Sequence, residues 1–168
     1  MTRLFARLLS TIRKLEIYTD GSYIENKKMG GMGLYFPNGE YPNLSVSYPK
    51  ILIVPPNSHR CEMMAISYAL IIHSQLFSSN LCTIYTDSEY TINSLTRYCD
   101  IWIKNGWRKT NGESVKNIDL LKPMHYMYST NANVNLQFVR AHTGLLDRHS
   151  LNNNIADAFA RKGAATQS

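Results

Sequence analysis

At 168 residues the chain has the length of one domain, and with 44% hydrophobic and 18% charged residues it has the composition of a globule with its own core, not of a disordered or membrane protein. No apolar run approaches the roughly 18 residues of a membrane span. The net charge of +6 at pH 7 and the pI of about 9.3 predispose the chain to polyanions, because neutralising phosphates releases their counterions.

Met1 to Lys14 form a basic amphipathic extension, with Arg3, Arg7, Arg13 and Lys14, no acid, and Leu4, Phe5, Leu8, Leu9 and Ile12 at helical spacing. Two readings fit it: a short organelle-targeting segment, or a plain extension or docking helix. Residues 15–165 read as one domain and 166–168 as a tail. Leu15 to Asp20 is a strand, with Gly21-Ser22 as a turn after it. A second strand lies near Met32 to Phe36, and a third near Leu44 to Val46 or Ile51 to Val54, among Pro49, Pro55 and Pro56. Residues 59–77 are helical, with Asn57 or Ser58 as N-cap. Leu81 to Thr86 is a strand, Ser88 to Tyr98 a helix, Tyr98 to Lys116 a stretch rich in Trp and cations, and Asn117 to Tyr128 a helix. Val134 to Val139 alternates as a strand, and Asn152 to Gly163 closes as a helix ended by its glycine. This order predicts a mixed α/β sheet flanked by helices. Cys61, Cys82 and Cys99 are odd in number and lack CxxC spacing. They read as buried thiols of a reducing, intracellular compartment, cytoplasm or nucleus.

Two segments echo each other: Tyr18-Thr19-Asp20-Gly21-Ser22-Tyr23 and Tyr85-Thr86-Asp87-Ser88-Glu89-Tyr90. Strand alternation puts Tyr and Asp on one face of each, and each Asp where its strand stops, at the carboxyl edge of the sheet. If the two strands are neighbours, their carboxylates converge and repel, and a divalent cation relieves the repulsion. Glu62, in the first turn of its helix, and Asp157, in the last helix, complete a candidate set for two Mg²⁺ ions acting on a phosphodiester. The competing reading is that these acids end strands and cap turns.

In sequence order, Thr19-Asp20-Gly21-Ser22, Arg60-Cys61-Glu62-Met63-Met64-Ala65, Thr86-Asp87-Ser88-Glu89-Tyr90, Ala141-His142-Thr143-Gly144 and Asn153-Asn154-Ile155-Ala156-Asp157 closely resemble type 1 ribonuclease H of the cellular kind. That family shows TDGS at a strand end, R-x-E-x-x-A opening a helix, TDS-x-(Y/F), and a GH-x-G loop before a helical N-x-x-x-D. The match covers residues 15–165. It implies the ribonuclease H-like fold: a mixed five-stranded sheet, three antiparallel strands then parallel ones, flanked by helices. It also implies an endonuclease, a monomer, that hydrolyses the RNA strand of an RNA–DNA hybrid with two Mg²⁺ ions, Mn²⁺ substituting, and leaves 5′-phosphate and 3′-hydroxyl ends.

By the same resemblance Asp20 bridges the two ions, Glu62 and Asp87 hold the one on the leaving-group side, and Asp157 holds the one on the side of the attacking water. His142 assists proton handling or product departure. Ser22, Asn57, Ser58, His59 and Asn93 would contact substrate, and Trp102, Lys104, Trp107, Arg108 and Lys109 resemble a basic protrusion that grips the DNA strand. There the tryptophans serve either as stacking faces or as pins holding the protrusion to the body. Selection for RNA would come from its 2′-hydroxyls.

Departures from the family pattern are Asn57 where Thr is usual, Pro55 where Arg is usual, Ala141 for Gly and Asn154 for Glu, together with 15 positions from His142 to Asp157, a longer loop than is common. No N-terminal hybrid-binding module is recognisable, and the processivity such a module confers is not expected. The rival readings are an inactive hybrid-binding module of the same fold, a DNA-cutting nuclease of the wider superfamily, and a simple basic nucleic-acid-binding domain. Only the active enzyme uses all four acids, the glutamate helix and the tryptophan-bearing protrusion together.

Overall fold

Residues 14–141 and 146–166 are described by the structure, a computed structural model. The basic extension before Lys14, and His142 with its loop through Leu145, lie outside them.

Five strands form one sheet: β1 (Leu15–Ile24), β2 (Met29–Tyr35), β3 (Leu44–Ser47), β4 (Cys82–Thr86) and β5 (Val134–Phe138), in the order β3-β2-β1-β4-β5. The β1-β2 and β2-β3 pairs are antiparallel, while β1-β4 and β4-β5 are parallel. This is the expected fold. Helix α1 (Ser58–Leu76) follows β3, and α2 (Glu89–Asn93) follows β4. A π-helical turn at Ser94–Tyr98 then leads into α3 (Cys99–Lys104). After the protrusion come α4 (Ile118–Ser129) and, beyond β5, α5 (Arg148–Ala165).

Both faces of the sheet are covered, which explains why Leu15 to Asp20 are buried without a break. Leu15, Ile17, Leu34, Ile84 and Leu136 pack with α1 and α4 residues such as Met63, Ile66, Leu70, Leu121 and Met124. On the other face Tyr18 stacks on Tyr85, ring centroids 4.5 Å apart, and packs with Val139 and with Ala156 of α5. Asn57 starts α1, its side-chain oxygen accepting the Arg60 amide at 3.0 Å. Arg60 itself is buried. Its guanidinium donates to both oxygens of Asp119 and to the hydroxyl of Tyr48, tying α1 to α4 and to the chain after β3. All three thiols are buried, and burial pushes Cys61 and Cys82 up to about 12 and Cys99 to about 11, which keeps them unreactive.

Several boundaries differ from the sequence expectation, each for a physical reason. Gly21-Ser22 is not a turn: β1 runs on to Ile24, because Asp20 to Ile24 pair in register with Gly33 to Met29 of β2. The third strand is Leu44–Ser47 and not Ile51 to Val54, whose Ile51 and Ile53 point into solvent between prolines. The helical run after β4 does not stop at Tyr98 but reaches Lys104. Within it the Thr96 hydroxyl bonds back to the Ile92 carbonyl at 2.8 Å, competing with the helix ladder near the π turn. Helix α5 starts four residues early, capped by Asp147, whose Oδ1 accepts from the His149 and Ser150 amides. Nor does Gly163 end α5, which continues to Ala165. Among the described residues no helix is long and apolar enough to cross a membrane.

Candidate active site

Asp20 sits where β1 changes partner. Its parallel pairing with β4 ends at Tyr18 opposite Tyr85, so the same register, two residues on, sets Asp20 beside Asp87. Asp20 is therefore mid-strand, while Asp87 does follow the end of β4, and the convergence expected of them holds. The Gly21 amide donates to Oδ1 of Asp20 at 2.7 Å.

Glu62 reaches this edge from α1, on the opposite face of the sheet. Gly21 makes the approach possible: a β-carbon there would stand 2.4 Å from the Cys61 carbonyl carbon and clash with the Glu62 backbone. Carboxylate oxygens of Asp20, Glu62 and Asp87 all lie within 4.8 Å of one another. Oε2 of Glu62 is shielded from solvent and has no hydrogen-bond partner among the described residues. Burial, and then the Asp87 charge, push Asp20 up to about 7 from its usual 3.8. Burial together with Asp20 and Asp87 holds Glu62 well above the ordinary carboxylate range. Three crowded, desolvated oxygens with an orphaned acceptor fit a hard divalent cation, which takes oxygen ligands and removes the repulsion.

Asp157 stands apart from these three, though its charge still raises Asp20. It is placed by α5, which lies flat on β2 because Gly33 has no side chain: a β-carbon there would meet the Ala156 carbonyl oxygen at 2.0 Å. Its carboxylate is paired with Arg161 one helical turn on, Nε donating to Oδ1 at 2.9 Å. Sequence reading passed over Arg161, although an Asp and an Arg four apart on a helix are a recognisable pair. His149 bonds through Nδ1 to the hydroxyl of Tyr18, two residues before Asp20, at 2.8 Å.

Ser58 and His59 line a cleft of about 260 Å³ with Glu62, Asp87, Ser88 and Tyr90, and the His59 ring lies 5.2 Å from that of Tyr90. Asn57 borders them, its side chain committed to capping α1. Ser22 is half-buried on β1, and Asn93 half-buried at the end of α2. In the protrusion Trp102 and Trp107 are half-buried and pack against the main core. Lys122 lies over the Trp107 ring, 5.4 Å from its centre. Both tryptophans thus pin the protrusion. Lys109 pairs with Glu113 at 3.0 Å, and an Arg108 nitrogen donates to the Gly112 carbonyl at 3.0 Å. Lys104 is exposed.

Comparison with known proteins bears on this arrangement. The family model RNase H matches residues 13–165. The "Probable ribonuclease H" of Acanthamoeba polyphaga mimivirus is 35% identical over 137 residues, covering 80% of this chain and 58% of that protein. Ribonuclease H of Schizosaccharomyces pombe is 35% identical over 152 residues, 89% of this chain and 52% of that one. The chain therefore spans a little over half the length of these two relatives. Ribonuclease HI of Haemophilus influenzae (strain Rd) is 32% identical over 153 residues, 90% of each chain. Among solved structures, a foamy viral protease-reverse transcriptase in complex with dsDNA superimposes with TM-score 0.75 at 21% identity, over 90% of this chain and 94% of that one. The type 1 enzyme LC9-RNase H1 gives 0.69 at 22%, over 92% and 74%. At such identities the structures speak for the fold. The sequence relatives and the family model go further, and on them this chain belongs to the ribonuclease H family.

Proposed function

We propose that the chain is an endonuclease hydrolysing the RNA strand of RNA–DNA hybrids, with two Mg²⁺ ions, for which Mn²⁺ substitutes, held by Asp20, Glu62, Asp87 and Asp157. The observation that carries this reading is the meeting of the Asp20, Glu62 and Asp87 oxygens at one sheet edge, with Oε2 of Glu62 lacking a hydrogen-bond partner among the described residues. Bound there, divalent cations supply Lewis acidity toward the phosphodiester and acidify the attacking water. The protein supplies the rest. Asp20, fixed by the Gly21 amide, would hold the ions together with Glu62, Asp87 and Asp157. The products carry 5′-phosphate and 3′-hydroxyl ends. His142 serves the proton and the departing product.

Ser58, His59 and Tyr90 border the carboxylates and are suited to the minor groove, where 2′-hydroxyls mark RNA. Lys104 and Arg108 track the DNA strand, and Trp102 and Trp107 hold the protrusion that carries them. A foamy viral protease-reverse transcriptase, one fifth of which superimposes on this chain with TM-score 0.73, has been solved in complex with an RNA/DNA hybrid. The enzyme acts as a monomer in a reducing intracellular compartment, which suits its three buried thiols.

A cleavage assay on three labelled duplexes tests the proposal. RNA–DNA hybrid is cut in Mg²⁺ or Mn²⁺, EDTA stops the reaction, and double-stranded RNA and DNA survive. Equal cutting of hybrid and duplex DNA would refute the substrate assignment.

A further inference from the structure

Of the four proposed ligands, Asp157 alone lies outside the carboxylate cluster, and both its oxygens are engaged by one side chain. Arg161 donates from Nε to Oδ1 at 2.9 Å, and its NH2 nitrogen lies 2.9 Å from Oδ2. Such a forked contact fixes the carboxylate more firmly than a single hydrogen bond, because the planar guanidinium matches two oxygens at once. The two partners are unequally sheltered. Asp157 is 18% exposed and Arg161 64%, so the carboxylate is held in the site while the guanidinium stays reachable from outside.

A cation binding Asp157 has to share carboxylate oxygens that Arg161 already engages, and on approach it meets a fixed positive charge that opposes it. A nucleic-acid phosphate offers the guanidinium an alternative partner with the same fork geometry and a full negative charge. Resting on the reading above that Asp157 is a metal ligand, we propose that Arg161 is a positioning residue that withholds Asp157 from its cation until a substrate phosphate takes over the guanidinium. Loading of the ion at Asp157 is thereby coupled to arrival of the substrate, while the Asp20, Glu62 and Asp87 group binds its ion without help.

The test is calorimetric titration of the full chain with Mn²⁺, nucleic acid absent, for wild type, Arg161→Ala, Arg161→Lys and Asp157→Asn. In Arg161→Ala the Asp157 ion binds at least about threefold more tightly than in wild type, the scale expected of an ion pair on a helix turn that is partly sheltered. Arg161→Lys, which keeps the charge and loses the fork, falls between. The gain disappears in the Arg161→Ala, Asp157→Asn double variant, which ties it to that carboxylate. With hybrid as substrate, Arg161→Ala also raises KM more than it lowers kcat. Superimposable Mn²⁺ isotherms for wild type and Arg161→Ala would overturn the proposal and leave Arg161 an ordinary surface ion pair. Retained cleavage by Asp20→Asn would instead remove the metal-site reading on which it rests. A dead Asp20→Asn beside an unchanged Arg161→Ala isotherm overturns the role of Arg161 alone.

Discussion

Gly21 and Glu62 touch backbone to backbone: a β-carbon on Gly21 would stand 2.2 Å from the Glu62 amide nitrogen and 2.7 Å from its α-carbon. The strand thus passes directly against the Cys61–Glu62 backbone of α1, and this contact sets how near Glu62 can come to Asp20. Gly21→Ala forces strand and helix apart. We expect overpacking of about 1–3 kcal/mol, seen in calorimetry as a drop of roughly 2–10 °C in Tm. Hybrid cleavage should fall at least about tenfold at temperatures where the variant is still folded, as expected for misplaced catalytic groups. Wild-type activity in a folded variant would show that the close approach is dispensable.

The carboxylate cluster makes metal-free stability depend on pH in an unusual sense. Asp20 is raised to about 7 from 3.8, so its contribution to stability is fully present below 3.8 and is lost as pH rises through about 7. Glu62 acts in the same direction. In EDTA, Tm should therefore rise as pH is lowered from about 8 toward 5. Asp119, held below its usual range by Arg60, works the opposite way once pH falls below about 4. Added Mg²⁺ should stabilise the protein more at pH 8 than at pH 5, because it competes with protons for the same oxygens. A flat Tm profile in EDTA would count against the cluster.

Asp20→Asn separates chemistry from folding. The amide removes one charge from the crowded site, so the metal-free variant should match or exceed wild type in Tm at pH 8 while losing Mg²⁺-induced stabilisation and turnover. Thermal scans with and without Mg²⁺, beside the hybrid assay, check this. A variant that keeps full turnover would defeat the metal-site reading.

Arg60 and Asp119 form the pair that ties α1 to α4, with side-chain exposures of 1% and 45%. Asp119→Ala strands a buried guanidinium on Tyr48 and Asn117 and should cost about 3 kcal/mol in urea unfolding. Arg60→Met removes the buried charge and leaves only the half-exposed Asp119, which water can solvate, and should cost less. The reverse order would show that the pair contributes through packing alone.

In the protrusion the rings and the cations should separate cleanly. Trp107→Ala, removing a half-buried side chain packed on the core, should cost about 2 kcal/mol of stability. Lys104→Ala with Arg108→Ala should leave Tm nearly unchanged but weaken hybrid binding and flatten its salt dependence by a slope of up to about 2. An unaltered salt slope would place the DNA strand elsewhere.

Strand alternation and helix-start chemistry are local signals, so most elements and the acids as candidates were legible from the chain, while the layout of the sheet and the grouping of the acids came from the family resemblance. What eluded both was set by partners distant in sequence. Gly21-Ser22 carries turn-forming residues, yet β2 extends the strand through them, and the glycine serves the passage of α1. Gly163 looks like a helix stop but lies within α5, where a β-carbon would meet the Val46 carbonyl oxygen at 2.5 Å. The tryptophans offered two roles, and their packing on the core, which supports the pinning one, depends on residues distant in sequence. For Asp157 the motif identified the acid and not its partner, since an Arg four residues on reads as helix surface until its fork is seen closed on both oxygens.

The flat seating of α5 on Gly33 carries a consequence for anyone engineering this protein. Gly33 has no side chain to react or to bind a ligand, yet even a methyl group there would lever the helix away from the sheet and carry Asp157 with it. A saturation-mutagenesis screen for activity should rank Gly33 among the least tolerant positions, beside the acids. The same screen read for expression would show a smaller penalty, because a displaced helix can still cover the sheet.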